Sequence, residues 1–328
     1  MEPVNRGEEV LILLKDTDGF ISGEKIASEL KISRTAVWKQ ISRLRKEGFQ
    51  IEAHPRLGYS LVFSPDRLLP SEIRNGIKAS LIGSEISYYE KIESTNAIAK
   101  NLAMNGAEEG TLVIAEEQTK GRGRLNRDWL SPAYSNILMS LIFRPNLQAA
   151  KAFSMIMLTS VAIVRAIQGT TSLVAQIKWP NDIYLHNKKL GGILTEFNAE
   201  QDRVNFIVVG VGLNVNFDPC LYPEIKDTAT SLKKVLGKEV KRAVLLRSIL
   251  EEIERGYSAF NKGCISQIRC EWDNHSLVTG KHVRIHSLDN VEEGVAESID
   301  DDGYLILRDI NGNTKRILSG DVSLRVRE

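Results

Sequence analysis

The stretch Gly121-Arg122-Gly123-Arg124-Leu125-Asn126-Arg127-Asp128-Trp129 places three arginines and two glycines within seven positions, with Lys120 just before them. Arginine carries a planar, permanently charged fork that matches carboxylate and phosphate oxygens. Glycine admits backbone geometry that other residues resist. Such a loop is suited to closing over an anion. It is a poor dinucleotide fingerprint, because Asn126 stands where a third glycine is needed and Pro132 follows soon after. No Gly-x-x-x-x-Gly-Lys-Ser/Thr occurs in the chain, so any ATP is held by something other than a P-loop. The bland alternative is a disordered basic surface loop.

Working outward, 328 residues leave room for two or three domains, and the formal net charge of +1 gives no global pull toward nucleic acid. Locally the picture differs. Lys31 to Arg56 holds seven Lys/Arg against two Glu, a basic excess that lies N-terminal to the loop. Three cysteines (Cys220, Cys264, Cys270) without metal-pair spacing suggest reduced thiols in a cytoplasmic protein. No signal peptide is expected, and no apolar run is expected to approach membrane-spanning length.

Residues 1–64 read as helix, helix, turn, helix and a two-stranded wing. Val10, Leu11, Leu13 and Leu14 suggest the first helix, and Ser22 precedes the second, with Ile26, Ala27 and Leu30 apolar. Ser33 caps the third, in which Val37, Ile41 and Leu44 recur at helical spacing. Phe49–Ile51 and Tyr59–Phe63 alternate like strands around His54-Pro55-Arg56-Leu57-Gly58. A winged helix-turn-helix puts its third helix in a major groove. Ser33, Arg34, Thr35, Trp38 and Lys39 would reach base edges. Arg43 and Arg45 suit phosphates, and Arg56 at the wing tip suits a minor groove. A solvated basic face on an interaction module is the competing reading.

Residues 65–273 mix strand-like runs with two long helical patterns and lack strict alternation, which favours α+β over a doubly wound sheet. A helix start is expected near Ser64-Pro65-Asp66. Strands are expected at Ile86–Tyr89, Thr111–Glu116, Ile137–Phe143, Ile177–Trp179, Ile183–Leu185, Gly192–Glu196 and Phe206–Val211. Residues 274–328 hold only short strand patterns separated by turns such as Asp301-Asp302-Gly303, ending with Val322–Val326; that is the pattern of a small, SH3-like β-barrel.

Around the loop stand four further blocks. Ser94-Thr95-Asn96 opens a helix, and Gln118 ends the strand before the loop. Lys178-Trp179-Pro180-Asn181-Asp182 crowds a base, an indole, an amide and an acid together. Lys188-Lys189-Leu190-Gly191-Gly192 sets cations beside glycines, and Gly210-Val211-Gly212-Leu213-Asn214 ends a strand with small residues. Each has an innocent explanation alone: Ser94 as a helix cap, Lys189 as hairpin decoration, Trp179 as core. Taken in order, they resemble the biotin protein ligase family across essentially the whole chain. The winged head matches the subgroup that also represses the biotin operon. Asn126 departs from the family's usual glycine, and asparagine tolerates left-handed geometry.

The resemblance implies the following roles. Ser94, Thr95, Asn96, Gln118, Gly121, Arg122, Arg124 and Lys189 would contact biotin. Arg124, Arg127, Trp129, Lys178, Asn181 and Asn214 would hold ATP or the adenylate, with Trp129 packing beneath the loop. Lys189 would bridge the biotin carboxylate and the α-phosphate. Asp182 would position Mg²⁺ or the incoming lysine amine. Lys189, Arg124 and Asp182 would carry the chemistry. The implied substrates are biotin and Mg²⁺-ATP, with biotinyl-5'-AMP as intermediate and co-repressor. The implied partners are the biotin carboxyl carrier protein of acetyl-CoA carboxylase, operator DNA and a second copy of the chain when liganded, with no membrane. A lipoate-type ligase and a biotin-sensing transcription factor without ligase activity are the alternatives.

Overall fold

The computed structural model describes residues 6–286, 290–318 and 320–324. The chain divides into two units, 1–67 and 68–328.

In the first unit, helices α1 (Arg6–Lys15), α2 (Gly23–Leu30) and α3 (Arg34–Lys46) precede the hairpin β1 (Gln50–His54) and β2 (Gly58–Phe63). Ser22 and Ser33 cap α2 and α3 by accepting the Lys25 and Ala36 amides, both at 3.1 Å. Val10, Leu11, Leu14, Ile26, Val37, Ile41 and Leu44 are buried, and these apolar stripes bind the three helices together. Ile21 exchanges two 2.9 Å backbone hydrogen bonds with Tyr59, adding a single β-bridge beside the two-stranded wing. Gly58 permits that approach: at φ +103° it has no Cβ, and one would lie 2.1 Å from the Ile21 carbonyl oxygen.

The second unit begins with α4 (Pro70–Arg74), a few residues past the expected helix start at 64–66. Proline is favoured at a first helical position, where its missing N–H costs nothing. Then follow β3 (Ile86–Ile92), α5 (Thr95–Met104), β4 (Leu112–Gln118), β5 (Ile137–Phe143), α6 (Ser154–Thr171), β6 (Gln176–Lys178), β7 (Asp182–Leu185), β8 (Lys188–Glu200), β9 (Arg203–Leu213), α7 (Leu232–Leu236), α8 (Arg242–Asn261) and α9 (Ile265–His275). The seven strands make one sheet in the order β3-β4-β5-β9-β8-β7-β6. Only the β3–β4 pair among them is parallel. Helix α9, anchored by buried Ile268 and Trp272, was not anticipated from sequence.

Helices α6 and α8 cover one face of the sheet, over Ile137, Met139, Leu141, Phe143 and Val209. Residues 149–171 pass a length-and-hydropathy test for a membrane span (mean hydropathy 1.6), which corrects the expectation that no run approaches that length. The apolar window is 78% buried in this core, which accounts for its composition. On the other face, α5 packs over Val113, Ile142, Phe206 and Val208.

The tail forms a five-stranded antiparallel sheet, β13-β12-β11-β10-β14, from β10 (His282–His286), β11 (Val291–Ile299), β12 (Leu305–Arg308), β13 (Thr314–Ile317) and β14 (Asp321–Leu324). The end of the expected last strand, 325–326, lies outside the described residues. This sheet is fastened to the larger one. Trp179 Nε1 donates to the Gly303 carbonyl at 3.1 Å, and the Tyr304 ring stacks on Phe153 at 5.5 Å.

Candidate functional site

A cavity of about 800 Å³ opens on the α5 face of the larger sheet. Its floor is made by absence. Gly192 of β8 pairs with Gly212 of β9, and Leu194 pairs with Gly210, so three glycines strip one patch of sheet of side chains. A Cβ at Gly210 would sit 2.0 Å from Asn96 Oδ1, and one at Gly212 would sit 2.5 Å from the Trp129 indole. The Asn96 amide and the Trp129 ring therefore lie directly on the sheet.

One end of the cavity is neutral and polar. Ser94 occupies the N-cap position of α5, yet its side chain makes no capping bond. Gln118, at the end of β4, accepts the Thr95 amide through Oε1 at 2.7 Å, and Thr95 Oγ1 lies 3.1 Å from the same oxygen. Asn96 Nδ2 donates to the Leu194 carbonyl at 3.2 Å and to Glu196 Oε2 at 2.9 Å. Gly121 begins the loop against this end, since a Cβ there would meet the Trp129 carbonyl oxygen at 2.7 Å.

The loop folds back on itself. The Trp129 amide donates to the Gly121 carbonyl at 2.9 Å, and the Gly123 amide donates to the Arg127 carbonyl at 2.7 Å. Leu125 and Asn126, both at φ +56°, make the reversal. Asparagine thus fills the left-handed place that the departure from glycine calls for. Arg122, Arg124 and Arg127 all line the cavity.

The other end is charged. Lys178, Asn181 and Asp182 come from the β6–β7 turn, and Lys189 from the start of β8. Lys189 Nζ stands 2.7 Å from Asp182 Oδ1 and 5.6 Å from the Trp129 ring centre. Arg124 Nη1 reaches Asn181 Oδ1 at 3.5 Å. Burial pushes the Arg124 guanidinium below its ordinary pKa, against the pull of Asp321 and Asp182. Burial also lowers Lys178, which lies 3.4 Å from the Tyr184 hydroxyl. The Tyr184 phenol itself is pushed up to about 12 by burial and by Asp182. Asn214, at the end of β9, donates to the Thr230 carbonyl at 3.1 Å.

The cavity thus brings together all fourteen residues that sequence reasoning assigned to biotin, ATP or the chemistry. It also holds residues that reasoning missed. Asp321 of β14 pairs with Arg127. The 228–230 segment clamps the Lys189 backbone through bonds of 2.8 and 2.9 Å. Its only sequence signal is the small polar run Thr228-Ala229-Thr230-Ser231 before a helix. Among the described residues no group of three or more His, Cys, Asp or Glu could hold a metal ion.

The head presents a second surface. Ser33, Arg34, Thr35, Trp38, Lys39 and Arg43 are exposed on or beside α3, opposite its buried stripe, and Arg56 is exposed at the wing tip. His54 Nδ1 accepts the Arg56 and Leu57 amides at 3.3 Å and shapes that tip. Two arginines are engaged within the unit. Arg43 pairs with Glu47 at 2.8 Å, and Arg45 donates to the Ile51 carbonyl at 2.6 Å, so Arg45 fastens the wing to α3.

Comparison with known proteins agrees with this layout. Residues 88–214 match the model of the biotin/lipoate A/B protein ligase family. Residues 6–60 match an HTH domain, and 278–325 a biotin protein ligase C-terminal domain. The bifunctional ligase/repressor BirA of Bacillus subtilis is 42% identical over 93% of this chain and 94% of its own length. Its Escherichia coli counterpart is 28% identical over 97% of each. The structure of Aquifex aeolicus biotin protein ligase in complex with biotin and ATP superposes with a TM-score of 0.63 at 28% identity. That match covers 74% of this chain and 98% of the other.

Proposed function

This chain belongs to the biotin/lipoate A/B protein ligase family, and from that premise we propose that it is a biotin protein ligase which also represses transcription. It activates biotin with Mg²⁺-ATP as biotinyl-5'-AMP, transfers biotin to a lysine of a biotin carboxyl carrier protein, and binds operator DNA through its head. The observation that carries this reading is one cavity with a neutral hydrogen-bonding end beside an end built from Arg124, Arg127, Lys178 and Lys189.

The chemistry suits those side chains. A carboxylate is a poor electrophile, so activation comes first. Its oxygen attacks the α-phosphorus, a new P–O bond forms, and pyrophosphate departs with the electrons of the old one. The lysine amine then attacks the acyl carbon, a C–N bond forms, the amine sheds a proton, and AMP leaves. Neither step needs a protein nucleophile. Both need charge neutralisation, alignment and exclusion of water. Lys189 lowers the repulsion between two anions, Arg124 and Arg127 hold the phosphates, and Lys178 supports them. Asp182 orients Lys189 in the resting site and would help position either the Mg²⁺ that arrives with ATP, which commonly takes one or two carboxylates plus substrate phosphates, or the incoming lysine amine. Ser94, Thr95, Asn96, Gln118, Gly121 and Arg122 select the ureido ring. Trp129, Asn181 and Asn214 pack against the nucleotide.

Three domains, 1–64, 65–273 and 274–328, divide this work in a cytoplasmic protein. With the adenylate bound, two copies pair and set two heads on a two-fold operator. ATP–pyrophosphate exchange tests the central claim. Exchange that depends on biotin is expected; its absence with biotin, or its appearance with lipoate instead, overturns the reading. Gel shifts on DNA upstream of biotin genes, with and without biotin plus ATP, test the repressor half.

A further inference from the structure

We propose that Glu196 and Ser140, neither of which lines the cavity, are positioning residues that fix the Thr95 hydroxyl as a hydrogen-bond acceptor toward the ligand and so select a ring N–H at that point. The inference rests on the biotin reading above.

Ser140 lies on β5 and is fully buried. Its Oγ is 2.6 Å from Asn96 Oδ1 and 2.8 Å from Thr95 Oγ1. One hydroxyl carries one proton, so it donates to one of them only. The Asn96 amide decides which. Its nitrogen faces the Leu194 carbonyl and the Glu196 carboxylate, two groups that only accept. Reversing the amide would press its oxygen against both. Asn96 Oδ1 therefore faces Ser140 and takes the Ser140 proton.

Thr95 is settled in turn. Its hydroxyl proton has two acceptors within the protein, Ser140 Oγ at 2.8 Å and Gln118 Oε1 at 3.1 Å. Gln118 Oε1 is itself held in place by the Thr95 amide at 2.7 Å. Whichever acceptor takes the proton, none is left for the cavity. Thr95 Oγ1 offers only lone pairs there, and a ligand atom that meets it must bring its own hydrogen. A ureido ring N–H does so. An ether oxygen at the same place would meet a second acceptor, the kind of mismatch that excludes analogues strongly.

Glu196 is the outermost member of the relay. Its other oxygen lies 3.8 Å from Lys100, and its side chain is 39% exposed. Without its carboxylate, the Asn96 amide gains freedom to reverse and donate to Ser140. Ser140 then turns its proton to Thr95, and Thr95 can donate into the cavity. Ligand polarity is thus controlled from a residue near the surface of the sheet.

The test uses the full-length protein, biotin, and a cyclic carbamate analogue with oxygen in place of the ring N–H that faces Thr95. Wild type is expected to prefer biotin by about a hundredfold or more in kcat/KM. Glu196→Leu is expected to raise KM for biotin about tenfold and to narrow that preference about tenfold, as loss of a hydrogen-bond partner of the buried Asn96 amide implies. KM for ATP and kcat should stay within about threefold, the ordinary scatter of a change outside the reacting groups. Glu196→Gln keeps an acceptor oxygen for Asn96 and should restore both the KM and the preference. Ser140→Ala should raise KM for biotin alone. Unchanged KM and preference in Glu196→Leu, or equal losses toward biotin and ATP, overturn the relay. Failure of wild type to turn over biotin would instead refute the functional reading.

Discussion

Gly212→Ala isolates the contribution of the bare sheet floor. A Cβ at this position would lie 2.5 Å from Nε1 and Cε2 of Trp129, whereas ordinary contact begins near 3.4 Å. The ring must retreat by about 1 Å. The ring lines the cavity, so a shift in that direction should keep the stability cost at or near the low end of the about 1–3 kcal/mol typical of overpacking. The larger effect is on geometry. Lys189 Nζ sits 5.6 Å from the ring centre, near the about 6 Å limit of cation–π attraction, so even a small shift loosens it. A misplacement of about 1 Å near the chemistry costs about a hundredfold in rate. Biotin-dependent pyrophosphate exchange should therefore fall about a hundredfold while Tm drops by only a few degrees, about 2–4 °C per kcal/mol for a chain of this size. Trp129→Phe in the Gly212→Ala background, with a smaller ring, should recover part of the exchange. Wild-type exchange in Gly212→Ala would refute the argument, as would a loss of exchange explained wholly by unfolding.

Three further outcomes are expected. Adenylate dissociation, followed by release of labelled biotinyl-5'-AMP, should accelerate strongly in Arg124→Gly, for which removal of a paired, desolvated charge costs about 2–5 kcal/mol, and less in Arg127→Ala, because Arg127 is exposed and must first give up Asp321 to reach a phosphate. Glu116→Gln takes a carboxylate from fully buried Arg242, 2.7 Å away, and should cost about 3–5 kcal/mol in chemical denaturation. Burial disfavours the charged form of Glu254, but the amides of Ser80, Ile82 and Leu81 and the Ser80 hydroxyl hold its carboxylate below the usual range. The stability gap between wild type and Glu254→Gln should therefore be full at neutral pH and close as pH falls below about 4, which melting curves across that range would check.

Much of this architecture was legible because its determinants are local. Ser22 and Ser33 announce helix starts, the Val37, Ile41, Leu44 stripe announces a buried face, and the glycines at 191, 192, 210 and 212 announce a close approach. The parts that stayed hidden depend on pairing across long stretches of chain. Ser140 reads as one polar residue within an apolar strand, and its partners lie 44 and 45 positions earlier. Asp321 lies just before an expected strand and drew no role from sequence, yet it reaches Arg127 across 194 positions. Arg45 reads as a phosphate contact on a basic helix, and only the wing's position reveals its bond to Ile51. Helix α9 was missed because buried Ile268 and Trp272 stand among polar and charged neighbours and leave a thin apolar stripe.

The charges of the cavity explain how one small site can both attract and release anions. Six cations and four carboxylates line it, so the resting site is only mildly positive. Lys189 already has Asp182, and Arg127 already has Asp321. An incoming phosphate must displace those partners before it gains the full attraction of either cation. Arg124 differs. Its direct polar contact is the neutral Asn181 amide at 3.5 Å, and burial strips it of water. A guanidinium held in that state gains most when an anion arrives, because its desolvation cost is already met by the fold. The two carboxylates then do opposite work at different moments. They hold Lys189 and Arg127 near their working positions beforehand, and they compete for those cations when a charged product must leave. The neutral end lacks such competition, since Thr95, Asn96 and Gln118 are fixed by hydrogen bonds within the protein. Selection of the ligand therefore belongs to the Thr95–Gln118 end, and retention of its activated form belongs chiefly to Arg124.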